Sequence, residues 1–180
     1  PEKQYQYVNY GNPATQYLQV STRTGNSTLR RERTYLDGLG RTYLAESPDA
    51  AAGNVRQTSF YNKQGLLDHE SVPYVGTNLS TEAGTWYEYD VLGRETRKIL
   101  PGSYSFVTAY GLAQDAAGKS YQSQKLSVDR GDKVLRRYLL KDSLGHLVKV
   151  AECAGTVCDN PFSGAADIYL TSYKYNVDDQ

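Results

Sequence analysis

One short pattern constrains this chain more than any other: Asp or Asn, two further residues, then Gly. It occurs as Asp37-Gly38-Leu39-Gly40, Asn62-Lys63-Gln64-Gly65, Asp90-Val91-Leu92-Gly93, Asp115-Ala116-Ala117-Gly118 and Asp142-Ser143-Leu144-Gly145. Asp or Asn at the first position and Gly at the fourth is the signature of a type I turn. The Asx side chain accepts bonds from backbone N–H groups inside the turn. The glycine takes positive φ and forms the bulge that lets the outgoing strand twist correctly. With Asn176 counted as a further opener, the openers are 25, 28, 25, 27 and 34 residues apart. A recurring period in this range marks a repeat architecture in which each unit is one supersecondary element.

The flanks of the turns identify that element. In YEYDVLGRETRKILPG, Tyr87–Gly102, Tyr89 ends an incoming strand and Arg94 begins an outgoing one, so the stretch reads as a β-hairpin. Tyr35 precedes Asp37 by two residues, and Arg41 follows Gly40. Tyr61 directly precedes Asn62, and Tyr175 directly precedes Asn176. The units opened by Asp115 and Asp142 keep the turn and lose the tyrosine, and His146 stands where Arg41 and Arg94 stand. Strands are expected over Arg56–Tyr61, Thr85–Tyr89, Tyr121–Val128, Val134–Leu140, Leu147–Glu152 and Ile168–Tyr175. A further tight turn is expected at Asp129-Arg130-Gly131-Asp132. No apolar pattern of period 3.6 is present, and the longest helix-like piece, Asp49–Gly53, is one turn at most.

The fold class is therefore all-β: repeated antiparallel β-hairpins in a single segment, 1–180. Seventeen Tyr against three Phe and one Trp suit strands whose rings pack while their hydroxyls stay wet. Apolar alternation is weak and mean hydropathy is −0.63. A compact sandwich needs one strongly apolar face per strand, so a strip or hollow sheet with water near both surfaces is expected instead. Twenty Lys and Arg balance twenty Asp and Glu, which gives no bulk pull toward nucleic acid or a membrane surface. No stretch of about 18 apolar residues is present to span a bilayer, and no signal peptide is visible. Pro1 and the lack of any Met suggest an excised piece, a processed product or part of a longer chain.

The Tyr-Asp-x-x-Gly-Arg unit at Tyr89–Arg94 resembles the YD repeat of the RHS family. The ordered series TYLDGLGRTYLAE (Thr34–Glu46), FYNKQGLL (Phe60–Leu67), SVPYVG (Ser71–Gly76) and YEYDVLGRETRKILPG is more specific. It resembles the succession in the B components of bacterial Tc toxins and in SpvB-like proteins. The match covers Thr34–Gly102, and it continues weakly through Ser143–Gly145 to the chain end. The resemblance implies a ribbon of hairpins wound into a spiral shell that encloses a toxic C-terminal cargo. It also implies a secreted or cell-surface bacterial protein concerned with virulence, whose partners are the rest of the shell and that cargo. The chain departs from the complete family pattern. It lacks the Asp-Pro-x-Gly-Leu element that accompanies self-cleavage and the hypervariable C-terminal region, so neither proteolysis nor toxicity is assigned to these residues. The expected role is structural, carried by the turn residues Tyr35, Asp37, Gly40, Arg41, Tyr61, Asn62, Gly65, Tyr89, Asp90, Gly93, Arg94, Asp142 and Gly145.

Other residues admit chemistry. Cys153 and Cys158 enclose Ala-Gly-Thr-Val in a loop over 153–164. A disulfide suits an exported protein, free thiols are the alternative, and the spacing is not Cys-x-x-Cys with a second pair to hold zinc. His69 and His146 are the only histidines, and no Gly-x-Ser-x-Gly elbow accompanies them. No enzyme activity, metal or cofactor is expected. Arg130-Gly131-Asp132 at a hairpin tip is a receptor-binding candidate, although Asp-Arg-Gly-Asp is also good turn chemistry. Asn26-Ser27-Thr28 and Asn78-Leu79-Ser80 fit the glycosylation pattern, which bears only on a eukaryotic source. The many tyrosines beside Asp and Asn leave a competing reading open: a surface adhesin or carbohydrate-binding module, with a host glycan or receptor as partner.

Overall fold

The computed structural model describes residues 2–24, 28–49, 53–76, 83–102, 104–129, 134–154, 160–162 and 168–175. Fourteen strands are present among them: β1 (Lys3–Val8), β2 (Tyr17–Thr24), β3 (Thr28–Leu36), β4 (Thr42–Asp49), β5 (Gly53–Tyr61), β6 (Leu67–Ser71), β7 (Tyr74–Val75), β8 (Gly84–Tyr89), β9 (Glu95–Ile99), β10 (Ser105–Gln114), β11 (Ser120–Asp129), β12 (Val134–Lys141), β13 (Leu147–Ala154) and β14 (Ile168–Ser172). No helix occurs among the described residues. The protein is all-β and its strands pair antiparallel, as repeated hairpins require.

Two compact units divide the chain, Pro1–Trp86 and Tyr87–Gln180. In the first, the strand order is β1-β2-β3-β4-β5-β6-β8, with β7 paired to β5. In the second, Tyr87–Tyr89 of β8 precede the run β9-β10-β11-β12-β13-β14. Sequential antiparallel pairing makes each unit a meander, so every second connection lies on the same margin of its sheet. The Asp37 and Asn62 turns share one margin of the first unit. The Asp90, Asp115 and Asp142 turns share one margin of the second.

Bulges fall where the turn chemistry needs them. The register shifts between Tyr35 and Leu36, between Phe60 and Tyr61, and between Leu140 and Lys141, each just before an opener. Gly93 has φ of 77° and Gly65 of 83°, the left-handed conformation that only glycine adopts without strain. The strand expected over Ile168–Tyr175 stops at Ser172. Tyr173 still donates its N–H to Val148 O at 2.9 Å, but Tyr175 turns its hydroxyl to Leu147 O instead of continuing the ladder.

The interiors of the units differ in kind. The second unit holds an apolar cluster of Tyr121, Tyr138, Leu140 and Ala151, flanked by Ala113, Val148, Phe162 and Ile168. Register explains the cluster: Tyr138 lies opposite Ala151, so both rise from one face. In the first unit the buried side chains among those described are Ser21, Glu46, His69 and Ser71, all polar, and Gly84 is buried beside them. The weak apolar alternation of the sequence is thus realised as sheet with little apolar core.

Candidate functional site

The turns themselves form the most organised polar structure in the molecule. At Asp90, Oδ1 accepts the N–H groups of Leu92 and Arg94, both at 2.9 Å. Gly93 N–H bonds Asp90 O at 3.0 Å, and Asp90 N–H bonds Arg94 O at 3.0 Å. Oδ2 is left free for a side chain and takes the Arg94 guanidinium at 2.7 Å from Nε and 2.6 Å from Nη2. The Arg94 backbone N–H and then its guanidinium hold the Asp90 carboxyl below its ordinary range. The guanidinium lies 4.2 Å over the ring of Tyr110 on β10. Tyr110 closes the arrangement by donating its hydroxyl to Glu95 O at 3.1 Å.

The same clamp recurs twice. Asp37 Oδ1 accepts the N–H groups of Leu39 and Arg41 at 2.9 Å, and Oδ2 takes the Arg41 guanidinium at 2.8 and 2.7 Å. Arg41 lies 4.3 Å over Tyr61, whose hydroxyl bonds Thr42 O at 2.7 Å. Asp142 Oδ1 accepts the N–H groups of Leu144 and His146 at 2.9 and 3.0 Å, and Oδ2 faces His146 Nδ1 at 3.2 Å. His146 stacks on Tyr175 at 5.0 Å, and Tyr175 bonds Leu147 O at 2.9 Å. In every case the carbonyl used belongs to the fifth residue after the opener. Each clamp therefore ties a hairpin tip to the stretch of chain that runs back past it after the hairpin. This accounts for two of the tyrosines before an opener: Tyr61 serves the preceding turn, that of Asp37, and Tyr175 that of Asp142.

The remaining two turns are built without the clamp. Asn62 Oδ1 accepts the N–H groups of Gln64 and Leu66 at 3.0 Å, but Leu66 carries no charge to stack. Asp115 holds Ala117 and Lys119 N–H groups at 3.0 Å and spends Oδ2 on the Tyr121 hydroxyl at 2.9 Å. Burial, and then the Asp115 bond, push the Tyr121 hydroxyl above the ordinary tyrosine range. Clamped and unclamped turns alternate. Clamped openers are 53 and 52 residues apart (Asp37, Asp90, Asp142), and the unclamped pair Asn62 and Asp115 are 53 apart. The structural repeat is thus a pair of hairpins, twice the period of the turn motif. The signal was available in the residue four after each opener, which runs Arg41, Leu66, Arg94, Lys119, His146.

Other expected residues have structural surroundings. Tyr35 packs against Tyr17 at 5.1 Å and Tyr43 at 6.1 Å, and its hydroxyl bonds Glu46 Oε2 at 3.3 Å. Glu46, buried on β4, also accepts Arg56 Nε at 2.7 Å and lies 3.6 Å from Arg33 Nη1. Sequence reasoning missed this cluster. Cys153 is buried at the end of β13 and is disulfide-bonded, while Cys158 lies outside the described residues. Arg130, Gly131, Asp132, Asn26, Asn78 and Asn176 also lie outside them. His69 is buried on β6, and no nucleophile is bonded to its ring. A groove of about 420 Å³ in the second unit sets the apolar side chains Leu126, Val128, Leu135 and Tyr169 beside the charged Arg136, Arg137 and Glu152, of which Arg137 and Glu152 are bonded at 2.6 Å.

Among the described residues, no group of three or more His, Cys, Asp or Glu is placed to hold a metal ion. No helix there is long and apolar enough to cross a membrane. The arrangement can orient hairpins, and none of the bonded groups described above forms a nucleophile with its base. No protein-family model matches the chain, and no curated protein or solved structure matches it either.

Proposed function

We propose that this chain is a section of β-hairpin wall in a secreted bacterial YD-repeat protein, and that the wall confines a toxic cargo. The observation that carries the reading is the recurrent Asp–Arg/His–Tyr clamp. An enclosing wall needs each hairpin fixed at a set angle to its neighbour over a long run, and it has no thick core to do this. The clamp supplies that fixation at the sheet margin from three side chains and one carbonyl, and it repeats every second hairpin. The role is mechanical, with no active site. The resemblance of Thr34–Gly102 to Tc-toxin B components and SpvB-like proteins agrees with it. Electron microscopy of the native protein carrying this chain, purified from its producer, tests the reading. A hollow β-shell with density inside is expected; a solid or filamentous particle without an enclosed volume overturns it.

One observation favours a second reading, an adhesive or sugar-binding module. Tyr5 and Tyr7 lie on one face of β1 and are 66% exposed, and Tyr7 meets the 87%-exposed Tyr10 edge-on at 6.4 Å. Exposed rings at such a spacing suit stacking on a pyranose face. A glycan-array screen of the chain separates the two readings. Binding to a defined glycan that is lost in Tyr5→Ala and Tyr7→Ala favours the module.

A further inference from the structure

His69 stands in the middle of β6. Across the sheet it faces Phe60 of β5 on one side and Trp86 of β8 on the other. The three rings form one stack, with His69 3.9 Å from Trp86 at 11° and 5.4 Å from Phe60 at 12°. The histidine is 2% exposed, and its Nε2 is closed from water with no hydrogen-bond partner. Gly84 closes the remaining side: a Cβ there would lie 2.1 Å from Nε2 and 2.4 Å from Glu70 O. The ring fits only because residue 84 has no side chain.

Such a site accepts a neutral imidazole and opposes a charged one. An imidazolium needs acceptors for both N–H groups, and Nε2 has none within reach. The charged groups around it do little to compensate. On β6 itself Asp68 and Glu70 flank His69 but alternate to the other face of the strand. On β5 the neighbours on its face are Phe60 and Thr58. On β8 they are Gly84 and Trp86, with Glu88 one pleat further along and already 3.5 Å from Arg97. The indole face of Trp86 favours a cation but supplies no acceptor for Nε2–H. Burial lowers the basicity of His69, and the attraction of Asp68 only partly opposes this.

The pairing that holds His69 is short. β6 and β8 share three residue pairs, His69–Trp86, Glu70–Thr85 and Ser71–Gly84, against eight between β11 and β12. One further bond, Val72 N–H to Ala83 O at 3.1 Å, extends it. We propose that the β6–β8 pairing is an acid-sensitive seam, opened when His69 takes up a proton. The direction follows from linkage. The ring is neutral both in the closed seam and in the opened chain at pH well above about 6.5, so the seam is then fully stable. As the pH falls through that value, the opened form binds the proton first. Stability is lost progressively until the closed form also protonates. In a confining wall this places a mildly acid-opened joint between two hairpins, although the proposal does not depend on that role.

The chain carries its own reporter, because Trp86 is its only tryptophan and stacks on the titrating ring. Three measurements on the intact chain test the seam. Hydrogen exchange, corrected for the intrinsic rate, is followed at pH 7.5 and 5.0. The amides of Leu67–Ser71 and Gly84–Trp86 are expected to lose protection, by at most about tenfold per pH unit for one proton, while those of β11 and β12 keep theirs. Trp86 emission is expected to change over the same range in wild type and in His146→Gln, and to stay flat in His69→Phe. The NMR titration of His69 Cε1–H is expected to have a midpoint below about 6.5. Equal protection at both pH values, or a midpoint at or above 6.5, overturns the proposal. If His69→Phe fails to fold, the exchange and NMR measurements on wild type decide alone.

Discussion

The two units are built from the same hairpin and turn chemistry, yet their buried side chains differ in balance. Among the described residues, the first unit buries Ser21, Glu46, His69 and Ser71, whereas the second buries Tyr121, Tyr138, Leu140, Ala151 and Cys153 together with the polar Thr108. Each interior has its own physics. An apolar cluster is held by removal of surface from water and is indifferent to pH. A buried carboxylate between two guanidiniums is held by mutual satisfaction, and losing one partner leaves the others stranded. The turns, common to both units, set the hairpin geometry. The interiors decide which stresses each unit tolerates.

The largest test of this contrast is Leu140→Ala. Leu140 is fully buried among Tyr121, Tyr138 and Ala151. The change is expected to cost about 2–5 kcal/mol, read as lost exchange protection across β11–β13, with β2–β5 unaffected. Equal loss in both units would show that the two interiors do not act separately. Glu46→Gln probes the first unit. It removes the charge that Arg56 and Arg33 share and weakens the acceptor of the Tyr35 hydroxyl. The arginines retain some access to water, so a loss of about 2–3 kcal/mol is expected, centred on β3–β5. A neutral outcome would show that the polar interior contributes little.

The turns could be read in the sequence because Asp-x-x-Gly chemistry is local: Asp90 bonds residues two and four ahead of it, and nothing distant is needed. The hairpins and the all-β class followed. The clamps could not be read in the same way. Tyr61, Tyr110 and Tyr175 lie 20, 16 and 29 residues after Arg41, Arg94 and His146, so no fixed spacing announces them, and strand register alone brings each ring under its cation. β3 carries no clear strand pattern, since Thr-Leu-Arg-Arg-Glu-Arg-Thr-Tyr-Leu is polar on both faces. Of its arginines, Arg33 meets Glu46 only through the β3–β4 register. His69 is similar: its stack depends on β5 and β8 bringing aromatic residues to both sides at once.

The turn glycines offer a comparison within one hairpin. Gly93 has φ of 77°, and Val91 beside it is 94% exposed. Gly93→Val forces a β-branched residue into the left-handed region, for an expected loss of about 1–2 kcal/mol. Val91→Ala removes a side chain that packs on nothing and is expected to be near neutral. Chemical denaturation of the two variants side by side reads the difference. Matching midpoints would contradict the assignment of Gly93 as the position that fixes the turn.

The smallest expected effect bears on the clamp itself. His146 occupies the position of Arg41 and Arg94 but offers one ring nitrogen to Asp142 Oδ2, at 3.2 Å, where the arginines offer two nitrogens at 2.6–2.8 Å. The Asp142 carboxyl records the contest. Burial pushes it up, yet the bonds from the His146 backbone and ring more than offset that and leave it below the ordinary carboxylate range. Its contribution is therefore present above about pH 4 and fades as the pH falls through the lowered value. His146→Arg replaces the ring contact to Asp142 by a two-pronged, permanently charged one and sets a guanidinium above the Tyr175 ring. A rise of a few degrees at most in the melting of the second unit is expected, because pairs this accessible to solvent contribute little. Pairing with Tyr175→Phe makes the test specific. If the clamp is a unit, the gain from arginine shrinks when the hydroxyl that anchors the ring to Leu147 O is removed. If the two changes add without coupling, the ring and the cation act separately and the clamp is only a coincidence of neighbours.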